Sequence, residues 1–126
     1  MSRFEPRKFD PQKDEDRAYL AGALTAYALG LKAEDVLSGG RGSPAEARAR
    51  QIAMYLLRAS LGMSLSRVAR AFGRDRSTVS YACQLIEDLR DDADFDIWVD
   101  QLSLGLASVA VLGAAPHDEQ GVACAG

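Results

Sequence analysis

The residues best equipped for chemistry in this sequence are Arg74, Asp75, Arg76, Ser77 and Thr78, five consecutive polar side chains inside "FGRDRSTVSYACQLI". Two guanidiniums flank a carboxylate, and two hydroxyls follow. The set suits recognition: arginine binds guanine O6 and N7 together, aspartate accepts from cytosine N4, and a serine or threonine hydroxyl donates to phosphate. A helix starts within this stretch, where cations are the less favoured sign. An anionic ligand would offset that placement.

Catalytic chemistry is not expected, because no paired carboxylates, Cys/His pair, metal-ligand cluster or G-x-x-x-x-G-K-[ST] phosphate loop can be assembled. Neither a metal nor any other cofactor is implied. Cys83 and Cys124 are too far apart to suggest a disulfide framework, Cys83 reads as a small core residue, and His117 has no partner at ligand spacing. No charged segment followed by an apolar one opens the chain, which argues against secretion and predicts a cytoplasmic protein. The longest charge-free stretch, "QLSLGLASVAVLGAAP", contains two glycines and falls short of the roughly 18 to 20 apolar residues of a spanning helix, so no membrane contact is expected.

The elements that must position the cluster are helical. With 126 residues, 48% of them hydrophobic and 26% charged, the chain suits one domain with tails. We expect a flexible arm over residues 1–13, a helical domain over 14–112 and a flexible tail over 113–126. Leu20, Leu24, Tyr27 and Leu31 recur at helical spacing from Asp14 and stop near Gly30. "KAEDVLSGGRG" reads as a short helical piece or turn before a glycine-rich loop. "SPAE" is a helix start, with Ser43 as cap, Pro44 in the first turn and Glu46 completing a capping box. The helix it opens runs to about Leu61 and buries Ala49, Ile52, Ala53, Leu56 and Ala59 or Ser60. Ser64 caps a shorter helix, Leu65 to Phe72. After Gly73, Asp75 stands as the next cap, and Val79, Ala82, Cys83 and Ile86 line one face. A last helix carries Trp98 and Leu102. No strand and no internal repeat is expected.

The spacing narrows the fold class. A small residue in the first helix, a turn residue tolerant of positive φ, and a branched residue facing back from the second are met by Ala69, Gly73 and Val79. The expectation is an all-α, small helical bundle containing a helix-turn-helix. Charge is distributed accordingly: Lys and Arg against Asp and Glu number 6 to 7 over residues 1–40, 9 to 4 over 41–90 and 0 to 7 over 91–126. These balances are −1, +5 and −7, and every cation of the basic middle is an arginine. The acidic run from Asp91 to Asp100 reads first as a solvated helix face or turn. It could also bind a protein partner or fold over the basic middle.

The stretch "RARQIAMYLLRASLGMSLSRVARAFGRDRSTVSYACQLIEDLR" resembles the C-terminal DNA-binding domain of the bacterial replication initiator family, DnaA, and the likeness extends over roughly residues 20–105. The resemblance implies duplex DNA as partner. It implies base contacts by Asp75, Arg76 and Ser77 in the major groove and by Arg50 in the minor groove. Phosphate contacts fall to Arg41, Arg48, Arg58, Ser64, Leu65, Arg74 and Thr78. Arg76 stands where the family has histidine. Nothing resembles the family's ATPase, so the implied role is DNA reading at initiator-box-like sites, regulating replication initiation or transcription without the motor. The alternative is a protein-interaction module that uses the acidic segment, with the initiator itself among its candidate partners.

Overall fold

The computed structural model describes residues 9–38 and 42–114, and among these it has six helices and no strand. They are α1 (Asp14–Leu29), α2 (Ala33–Leu37), α3 (Pro44–Ala59), α4 (Leu65–Phe72), α5 (Arg76–Leu89) and α6 (Ala93–Ala114). The arm before residue 9 and the tail after 114 lie outside the described residues, and α6 runs two residues past the expected boundary at 112.

α3 is the hub and packs against each of the other five helices. Its start is as the sequence implies: Ser43 Oγ accepts from the Glu46 N–H at 3.1 Å, and the Glu46 carboxylate accepts from the Ser43 N–H at 2.9 Å. Burial extends well beyond the expected stripe, because every residue from Ile52 to Leu57 is buried, as are Ala49 and Arg50. Neighbours on several sides enclose the middle of the helix, and only its ends keep exposed residues such as Arg48 and Arg58. Ala59 is exposed, and Ser60 instead reaches α6, donating to the Ser103 carbonyl at 2.9 Å.

α1 forms as the spacing of Leu20, Leu24 and Tyr27 implies, but the residues it buries most deeply are small. Its buried residues are Ala18, Ala21, Gly22, Thr25 and Ala26, whereas Leu20 and Leu24 are half-buried and Tyr27 is 84% exposed. Small side chains let neighbouring helices approach closely, and a Cβ at Gly22 would meet Leu37 of α2. Gly30 closes α1 at φ 73°, its N–H and that of Leu31 bonding the Tyr27 and Ala26 carbonyls at 3.2 and 2.8 Å.

One polar network joins α3, α5 and α6. The Tyr55 hydroxyl donates to Glu87 at 2.7 Å and accepts from Arg90 at 2.9 Å, and the Arg90 guanidinium also pairs with Asp96 at 2.6 Å and with Asp100. Asp92 accepts from the Phe95 N–H at the start of α6. Three aspartates of the acidic run are therefore structural.

Candidate nucleic-acid interface

α4 and α5 meet at a tight glycine turn. Ser64 Oγ accepts from the Arg67 N–H at 3.2 Å and starts α4, and Val68 and Ala69 are buried beneath it. Gly73 ends α4 at φ 65°, where the Gly73 and Arg74 N–H groups bond the Arg70 and Ala69 carbonyls at 3.2 and 2.9 Å. A side chain with a Cβ is strained at that φ. The chain then turns into α5, which buries Val79, Ala82 and Ile86. This is the αα-corner that Ala69, Gly73 and Val79 imply.

The turn leaves its polar residues uncommitted. Asp75 occupies the N-cap position but its side chain makes no capping bond. Its carboxylate is thus not used as the cap the sequence suggests. Asp75, Arg76, Ser77 and Thr78 are all exposed, and with Arg74 they form five consecutive side chains without a hydrogen bond or ion pair to the described residues. The first turns of α1, α2, α3 and α6 carry acids, whereas those of α4 and α5 carry none. Helix starts without acids keep their positive end open to an external anion.

The remaining expected contacts fall into four groups, of which Arg50 is the last. Ser64 is exposed and Leu65 half-buried at the start of α4, beside exposed Arg58, whose Nη1 donates to the Met63 carbonyl at 3.2 Å. Arg48 is exposed on α3, held to Gln51 at 3.1 Å. Arg41 lies outside the described residues.

Arg50 differs from the groove-entering side chain the resemblance implies: it is 6% exposed, and its Nε donates to the Val36 carbonyl at 2.8 Å. One guanidinium nitrogen, Nη2, is buried without a partner among the described residues. Burial, and then the nearby Arg74 guanidinium, pull the Arg50 pKa below its ordinary value. A second guanidinium nearby and a buried nitrogen without a partner among the described residues are a combination that an anion would relieve. Reaching a groove requires Arg50 to leave Val36.

Sequence reasoning missed the tether that orients α4. Arg67 grips Asp14 through Nε at 3.0 Å and Nη2 at 2.7 Å, fastening the helix-turn-helix to α1 across 53 residues. The Arg67 hydrogen bonds hold the Asp14 carboxyl below the usual range. Only the fold brings these two positions together. Cys83, expected in the core, is half-buried and lines an open cleft of about 430 Å³ with Arg58, and burial pushes its thiol up.

Fold and site together define a helix-turn-helix domain that presents the start of its second helix. The chain belongs to the bacterial dnaA protein helix-turn-helix family, whose model matches residues 23–86. It is similar to the chromosomal replication initiator protein DnaA of Synechocystis, 43% identical over 68 residues that cover 53% of this chain and 15% of that one. The same protein of Mycobacteroides abscessus is 43% identical over 60 residues, covering 48% and 12%. A crystal structure of a DNA replication initiation factor superposes with a TM-score of 0.68 at 32% identity, covering 77% of this chain and 30% of that one. The matches thus span a small part of those relatives' length. The family's matched segment is a helix-turn-helix and not a catalytic module.

Proposed function

We propose that this domain binds duplex DNA in a sequence-specific manner at sites of the initiator-box type, and thereby regulates replication initiation or transcription. The observation that carries the reading is the run from Arg74 to Thr78, five polar side chains without partners among the described residues at an acid-free helix start. Such a start, set in the major groove, aims base-reading side chains inward and N–H groups at phosphate.

In this reading Arg76 takes guanine O6 and N7, Asp75 accepts from cytosine N4, and Ser77 reaches a base edge. Thr78, Arg74, Arg58, Arg48 and the Ser64–Leu65 start hold the backbone, joined by Arg41 of the glycine-rich "SGGRGS" segment. Arg50 enters the minor groove after exchanging the Val36 carbonyl for DNA acceptors. Phosphate contacts set affinity and salt dependence, and base contacts set preference.

The test is a fluorescence-anisotropy titration of the full chain against a duplex carrying an initiator-type box and a scrambled duplex, at low and near-physiological salt. Preference for the box that survives the higher salt is the expected result. Equal affinities that collapse together with salt would overturn sequence reading, and no binding at low salt would overturn the DNA interface.

A further inference from the structure

α6 is apolar on two opposite sides. At 3.6 residues per turn, Val99, Leu102 and Leu106 share one side, where they are buried in the core the helix forms with α1 and α3. Ile97, Leu104 and Val111, seven residues apart, share the other side and are 56, 70 and 65% exposed. Leu112 beside them is 71% exposed. A surface helix ordinarily places its apolar residues in one stripe, and a second stripe opposite the first calls for a second cover.

Charge selects the cover. By length and hydropathy alone α6 could cross a bilayer, with a mean hydropathy of 1.4 over Ala93–Leu112, more than the charge-free stretch of the sequence implied. Residues 91–126 contain no Lys or Arg, however, so nothing draws this helix to an anionic lipid surface, and its first turn is acidic. A basic partner helix would find acids only as far as Asp100, since residues 101–114 carry no charged side chain. Leu104 and Val111 would then face its cations.

A second copy satisfies the whole stripe. Run antiparallel, each acidic end lies along the uncharged end of its mate, acids stay apart and the helix dipoles oppose. The stripe is also symmetric about Leu104, with Ile97 and Val111 each about 10 Å away along the axis. A two-fold axis there sets Leu104 on Leu104 and Ile97 on the partner's Val111. We propose that the outer face of α6 pairs antiparallel with α6 of a second copy about a two-fold axis at Leu104.

A seam of about 21 Å on a helix roughly 10 to 12 Å wide is narrower than the interface of a permanent dimer, so the pairing is reversible. α6 packs chiefly on α1 and α3, which leaves the turn at residues 74–78 uncovered. If the DNA reading holds, the pair presents two such turns and favours paired sites in inverted orientation. The pairing itself does not rest on that reading.

The experiment is sedimentation velocity of the full chain without DNA, under reducing conditions, from about 1 to about 300 μM. The average mass should rise from 13.6 kDa towards twice that value. Leu104→Asp should weaken the association about tenfold or more while leaving circular dichroism and melting unchanged. Orientation is read in a Cys83→Ala, Cys124→Ala background: under oxidation Leu104→Cys should couple to itself, and Ile97→Cys only to a Val111→Cys chain. A chain that stays monomeric overturns the proposal. So does a dimer indifferent to Leu104→Asp, self-coupling of Ile97→Cys, or Leu104-dependent binding of the monomer to anionic vesicles.

Discussion

Arg76 is the first residue of α5, and its side chain meets no partner among the described residues. A cation there opposes the helix dipole by about 0.3–1 kcal/mol at low salt. Alanine has a helix propensity at least as high. Arg76→Ala therefore stabilises the free domain, by about 1–5 °C in melting temperature for a domain of this size. On DNA the same change removes a bidentate guanine contact worth about 1–3 kcal/mol, roughly 5- to 150-fold in Kd. One substitution thus has two effects of opposite sign. Circular-dichroism melts in low-salt buffer read the first, and anisotropy titrations on the box duplex read the second. A variant that melts lower would show that Arg76 has a structural role, and the account of the open helix start would fail. A variant that melts higher yet binds with unchanged preference would remove the base-reading assignment and leave the dipole argument standing. Arg76→Glu extends the series, because it supplies the first-turn acid that α1, α2, α3 and α6 already have. It should melt higher still and bind DNA more weakly.

Three further outcomes follow from particular bonds. Ser43→Ala, which breaks a complete capping box, should cost about 1 kcal/mol in urea denaturation, whereas Asp75→Ala, which breaks no capping bond, should cost about 0.5 kcal/mol or less. Tyr55→Phe removes a hydroxyl that donates to Glu87 and accepts from Arg90, and should cost about 1–2 kcal/mol with the far-ultraviolet spectrum unchanged. The folded Asp14 carboxyl sits below its unfolded value of about 3.9, so its contribution is full above that pH and disappears as pH falls through the lowered value. Asp14→Asn should flatten the acid limb of the stability curve, and an unchanged limb would mean that the pairing with Arg67 does not persist in solution.

Much of the fold was legible because its signals are local. Ser43 with Glu46, Ser64, Gly30 and Gly73 mark helix boundaries through bonds that span a few residues. The order and approximate ends of the helices follow from them. The spacing of leucines in α1 marks the helix but not which residues it buries, because close packing selects the small residues Ala18, Ala21, Gly22 and Ala26. The reach of burial along α3 was underestimated for a related reason: periodicity reports one buried face, and a hub helix has several.

For the site, the sequence by itself determined the turn at Gly73 and the polar run from Arg74 to Thr78, since residue order and backbone conformation suffice to place them. Tertiary structure decided which arginines are engaged within the protein. Arg67 is engaged by Asp14, Arg90 by Asp96 and Asp100, and Arg50 by the Val36 carbonyl, through partners from 6 to 53 residues away. It also decided that α6 has an uncovered apolar side, because exposure depends on where the other helices lie. Local propensity acts over one helical turn, whereas charge pairing and burial depend on distance in space, which becomes definite only when the chain has packed.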